Sequence, residues 1–116
     1  MHTSWDVLSR YFGMWNTGDS SAAAEILHED WVDHAHPEVS GPDGVRQAVE
    51  KIRAAQPGLR FSITAMLGDG DLVAVAGEVG RDGDTAPPSK LMWLIRLEGS
   101  RMAEMWTYYA ARSSAG

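Results

Sequence analysis

The chain has 116 residues, 44% of them hydrophobic and 22% charged, with a net charge of −6, five tryptophans and no cysteine. That length and balance fit one globular domain over residues 1–116, large enough to form a core without metal or disulfide staples. The missing cysteines exclude disulfides, thiolate zinc sites and cysteine nucleophiles, and acidic residues spread along the chain with no clustered basic face argue against nucleic-acid binding.

Residues 1–6 hold no basic region followed by an apolar run. No apolar stretch approaches the ~20 residues a membrane span needs. The expectation is a cytoplasmic chain with no signal peptide and no membrane partner. Trp5, Leu8, Phe12 and Trp15 recur at helical spacing, with Tyr11 beside them. Thr3 or Ser4 can cap this helix, and Gly18 can end it in a left-handed conformation. A second, short helix is predicted over 20–27, where an alanine run favours it. Residues 31–34 read as extended and 35–40 as a loop. Gly41-Pro42-Asp43-Gly44 opens a third helix with Pro42 at its first position. Val45, Ala48, Val49 and Ile52 form its apolar face, and Pro57-Gly58 stops it.

The second half reads as four strands. Residues 59–67 alternate, with Phe61, Ile63, Ala65 and Leu67 on the apolar side. A turn at Gly68-Asp69-Gly70-Asp71 leads into a return strand over 72–79. A polar loop over 80–88, a candidate lid, precedes strands over 90–98 and 101–110. The tail 112–116 is expected to fray. Helices followed by an antiparallel meander indicate an α+β domain, with the helices covering one face of the sheet.

A two-residue turn at Gly99-Ser100 predicts the register of the last hairpin. Glu98 would face Arg101, Leu97 would face Met102, Ile95 would face Glu104, and Trp93 would face Trp106. Strict alternation then puts Glu104 and Tyr108 on the more apolar face, among the tryptophans. Desolvation there would raise the carboxyl pKa, as a general acid or base near neutrality needs. The alternative is that Glu104 pairs with an arginine or lies near an exposed edge. The opposite face, with Met92, Leu94, Met105 and Tyr109, is also apolar and points to a dimer interface.

The stretch Asp33-His34-Ala35-His36-Pro37-Glu38 concentrates titratable groups. Three readings stand: a surface loop, an acid/base at a pocket edge, and a metal site using His34 and His36. A convincing third ligand is missing, so no metal is expected. His28 and His2 read as surface residues. Phosphate loops, nucleophile elbows and dinucleotide fingerprints are absent.

The chain resembles the SnoaL-like polyketide cyclases of the nuclear transport factor 2-like superfamily. The resemblance is carried by residues 11–19 (YFGMWNTGD), Trp31-Val32-Asp33-His34, Gly41-Pro42-Asp43-Gly44-Val45, residues 70–75 (GDLVAV) and Ala103-Glu104-Met105-Trp106. It implies a cone-shaped, curved antiparallel sheet with three N-terminal helices closing a pocket, commonly paired as a homodimer through the sheet. It also implies acid–base ring closure on a small hydrophobic or polyketide-type molecule, without metal or organic cofactor. In the cyclases an acid/base Asp would fall at Ala110 and a His at Arg96; neither is present here. His34 matches a histidine common in the early motif.

The expected reading is therefore a cofactor-independent cyclase- or isomerase-like enzyme. His34 is the proton shuttle, and Glu104 the second acid/base or orienting group. Tyr11, Trp15, Trp31, Trp93, Trp106 and Tyr108 hold the substrate. The alternatives are a binding protein with the same pocket and a dimeric scaffold whose interior its own side chains fill.

Overall fold

The computed structural model describes residues 3–83 and 85–110. The side chains of Thr3 and Ser4, expected as caps, lie outside the described residues, as do His2 and the tail 112–116. Helix α1 spans Thr3–Thr17. It buries Val7, Leu8, Tyr11, Phe12 and Met14, the spacing of a single helix face. Trp5, placed on that face by periodicity, is instead exposed. Gly18 ends the helix as expected: its φ is 84°, and its N–H donates to the Met14 carbonyl at 2.8 Å.

Helix α2 covers only Ala23–Ile26. Leu27, expected in the helix, already has extended backbone and begins strand β1, Leu27–Asp33. Pairing with the last strand overrides the alanine run's helix preference. Helix α3, Gly41–Ala55, starts with Pro42 in its first turn and buries Val45 and Val49. Arg53 donates to the carbonyls of Pro57 and Leu59, both at 2.6 Å, which fixes the turn into the sheet. No described helix is long and apolar enough to cross a membrane.

The remaining strands are β2 (Leu59–Asp69), β3 (Leu72–Arg81), β4 (Ser89–Glu98) and β5 (Arg101–Tyr109). They form one curved sheet in the order β1-β5-β4-β3-β2, with β1 parallel to β5 and every other pair antiparallel. The helices lie against its inner face. Tyr11, Phe12, Trp31, Trp93, Val75, Ile95 and Met105 are among the residues of the resulting core. Each large apolar side chain buried there contributes about 1.5–3 kcal/mol. At the edge strand β2, the Asn16 side chain of α1 takes both backbone groups of Phe61. Its Nδ2 donates to the carbonyl at 2.9 Å, and its Oδ1 accepts the N–H at 2.7 Å.

Two one-residue irregularities correct the predicted strand faces. In β2, Ile63 pairs with Gly77 and Ala65 with Ala76, so Thr64 is extra. Met66 then turns into the core at 7% exposure, and Leu67, expected inside, is 75% exposed. In β5, Leu97 pairs with Met102 but Arg96 pairs with Glu104, so Ala103 is extra. Downstream of that point every side chain changes face. Trp93 faces Thr107 and Leu94 faces Trp106, so Trp93 and Trp106 are not opposite one another. Met105, not Glu104, joins the core. Gly77 is required where the sheet is tightest: a Cβ there would stand 2.4 Å from the Ser62 carbonyl oxygen and 3.0 Å from the Trp93 ring.

Candidate functional site

The irregularity at Ala103 collects four side chains on the outer face of the sheet. Parallel pairing of Val32 with Glu104 continues one step beyond β1, where the His34 N–H donates to the Met105 carbonyl at 2.9 Å. His34 then projects on the same face as Glu104 and Trp106. Its Nε2 lies 2.8 Å from Glu104 Oε2. Its ring stacks on Trp106, with centroids 4.8 Å apart and planes 6° from parallel. From β4, Arg96 Nε donates to the other carboxylate oxygen, Oε1, at 2.8 Å.

These contacts reverse the expected electrostatics of Glu104. The Arg96 guanidinium, and after it the His34 hydrogen bond, hold its carboxyl below the usual range; burial opposes them and loses. The arginine-paired alternative is the arrangement observed. An ionised carboxylate only accepts hydrogen bonds, so the hydrogen shared with His34 sits on Nε2. In the neutral ring the lone pair is therefore on Nδ1. Among the described residues no hydrogen bond reaches that nitrogen. A histidine so arranged can take a proton at Nδ1, with the adjacent carboxylate stabilising the resulting cation.

The sheet divides the expected substrate-binding residues. Trp106 and Tyr108 share the outer face with His34 and Glu104. Tyr11, Trp15, Trp31 and Trp93 lie on the inner side, in contact with one another or with neighbouring phenylalanines. Phe12 and Trp93 have ring centroids 4.7 Å apart, Tyr11 and Trp31 5.9 Å, and Trp15 and Phe61 6.2 Å. Burial pushes the Tyr11 hydroxyl pKa up, and nearby Asp33 adds to the effect. Among the described residues, the buried Trp31 Nε1 has no hydrogen-bond partner. A hollow of about 410 Å³ lies further along β3–β5, with Ala76, Lys90, Met92, Tyr108 and Tyr109 among its walls. Loop 80–88 contributes none of the described lining residues.

The remaining residues of the histidine stretch separate. Asp33 points inward from His34, and its Oδ1 accepts the Ala35 N–H at 3.0 Å. Burial raises its pKa despite that bond. His36 turns to Glu38, at 3.6 Å. Among the described residues no three His, Cys, Asp or Glu side chains converge as a metal would need. His28, expected as a surface residue, is partly covered: its Nε2 lies 2.7 Å from Glu98 Oε2, and its Nδ1 accepts the Asp30 N–H at 3.0 Å. Arg96 is the component that strand alternation missed. Its pairing with Glu104 depends on Ala103 being skipped, and nothing about an alanine announces that.

A family model for the SnoaL-like domain matches residues 8–105. Solved structures of the same fold include a SnoaL-like polyketide cyclase from Agrobacterium tumefaciens, at 16% identity and TM-score 0.76, with 95% of this chain and 93% of that chain covered. TsrD from Streptomyces laurentii aligns at 16% identity and TM-score 0.78, covering 94% of this chain and 89% of its own. An NTF2-like protein of unknown function from Mesorhizobium loti aligns at 19% identity and TM-score 0.75, covering 95% and 93%. No curated protein matches. At these identities the structural likeness is one of fold.

Proposed function

The chain belongs to the SnoaL-like domain family, and from that premise we propose that it is a cofactor-independent acid–base catalyst of the cyclase or isomerase type. Its substrate is a small hydrophobic or polyketide-type molecule with a carbonyl-activated C–H bond. His34 Nδ1 removes the proton, and Glu104 orients the imidazole and stabilises its charged form. The observation that carries this reading is the 2.8 Å contact between His34 Nε2 and Glu104 Oε2. Trp106, stacked on the imidazole, and Tyr108 offer the substrate an aromatic surface on the same face. Pairing of two copies over this face belongs to the same reading. Met92, Tyr108 and Leu72 are exposed, and a second sheet over them would shield the dyad from bulk water.

The test is hydrogen–deuterium exchange at the activated methylene of an aromatic β-ketoester, followed by NMR. General acid–base groups contribute roughly 100-fold or more. His34→Gln is expected to lose that factor, and Glu104→Gln a large part of it. Exchange that survives both changes sinks the assignment. A binding protein without chemistry is the second reading, favoured by Ala110 standing where the cyclases resembled here carry an acid/base Asp. It predicts ester binding that weakens with Trp106→Ala, and no exchange above the buffer rate.

A further inference from the structure

We infer that Arg96 is the positioning residue of the His34–Glu104 dyad, turning one carboxylate oxygen to the imidazole and thereby leaving Nδ1 as the nitrogen that takes a proton. This rests on the acid–base reading above and extends it to a residue outside the reacting pair.

The geometry is a two-point clamp. Arg96 Nε holds Oε1 and His34 Nε2 holds Oε2, each at 2.8 Å, so neither oxygen can exchange roles without breaking a bond. Arg96 is itself restrained. Its Nη1 lies 3.4 Å from Glu98 Oε1, and the other Glu98 oxygen takes the hydrogen of His28 Nε2. Five side chains from the ends of β1 and from β4 and β5 thus form one line across the outer face. A guanidinium suits its central place because its donors diverge in a fixed plane and reach two carboxylates at once.

The chemical consequence concerns the tautomer. Of the influences on Glu104, the Arg96 hydrogen bond is the largest that holds the carboxyl ionised, ahead of the one from His34. Without Arg96 the carboxylate stays ionised, but with Oε1 no longer held it could turn away from Nε2. The ring hydrogen would then divide between Nε2 and Nδ1, and the lone pair would no longer be fixed on Nδ1. The other charged groups nearby do not replace Arg96. Glu98 repels Glu104, Arg101 sits opposite Glu98 at the hairpin, and His36 and Glu38 face each other in the loop after β1.

Arg96→Gln and Arg96→Lys test this in the full chain. For Arg96→Gln, exchange of the β-ketoester should fall about tenfold, a part of the ~100-fold or more attributed to general-base catalysis. The acid side of its pH–rate profile should move to higher pH. Arg96→Lys should recover only part of both, because an ammonium keeps the charge without the fixed fork of donors. Independently of turnover, ¹⁵N NMR should report the Nε2–H tautomer of His34 in the parent and a mixed tautomer in Arg96→Gln. In the same variant the ¹³C titration of Glu104 should move up toward an ordinary carboxyl. Melting curves establish that both variants are folded. An unchanged tautomer together with an unchanged Glu104 titration in folded Arg96→Gln overturns the inference. If His34→Gln keeps full exchange, the acid–base reading fails, and the NMR measurements still decide the role of Arg96.

Discussion

Two histidines on the outer face of the sheet make the same first contact and differ in the second. His28 and His34 each present Nε2 to a glutamate, at 2.7 and 2.8 Å, and both glutamates share Arg96. His28 also uses Nδ1, which accepts the Asp30 N–H, so both of its ring nitrogens are occupied by the protein itself. On His34 that nitrogen is free of protein hydrogen bonds among the described residues, and one ring face lies on Trp106. The imidazoles are 22% and 41% exposed, respectively. A histidine beside a carboxylate is therefore not yet a candidate acid–base group. The second nitrogen distinguishes a fastening from a reagent.

Single substitutions sharpen the contrast. His34→Gln should lower β-ketoester exchange by about 100-fold or more with little change in melting temperature. His28→Ala should do the reverse, costing about 1 kcal/mol for its lost hydrogen bonds and slowing exchange only severalfold. If the two variants slow exchange equally, the distinction drawn from Nδ1 is wrong.

Acid stability offers a smaller effect. The Glu104 carboxyl titrates lower in the fold than in the unfolded chain because of Arg96 and His34. Its contribution is fully present above the unfolded carboxyl's pKa and is lost as pH falls through the folded one. Glu104→Gln should therefore flatten the acid side of a plot of melting temperature against pH. Asp33 has the opposite sign, since burial raises its folded pKa. Its cost appears as pH rises from the unfolded toward the folded value, and it persists above both. Asp33→Asn keeps an oxygen for the Ala35 N–H. It should raise the melting temperature slightly at neutral pH, with the gain fading in acid.

Much of this architecture was legible because its signals are local. Gly18 ends α1 and Pro42 begins α3 where periodicity predicted, and Gly99-Ser100 closes the last hairpin. The faces of β2 and β5 were legible only as far as Thr64 and Ala103, neither of which advertises an extra residue in a strand. One skipped residue exchanges every later side chain between faces, so Trp106 and Tyr108 left the expected inner wall together with Glu104. His34 and Glu104 could both be named from the sequence, yet their contact depends on that displacement. Leu27 illustrates another limit: its partner in β5 is Met102, far along the chain, and no local preference anticipates it.

The Asn16 clamp on Phe61 bears on how copies of this chain can meet. An unpaired strand edge is a template on which a neighbouring chain can extend the sheet. Here a side-chain amide already fills the Phe61 rung of the outer edge of β2, imitating the strand that would otherwise dock. At the opposite border Ser40 bridges to Val32 of β1. With a rung engaged on each border, growth by adding strands is discouraged at both ends of the sheet, which is compatible with the proposed pairing over its outer surface.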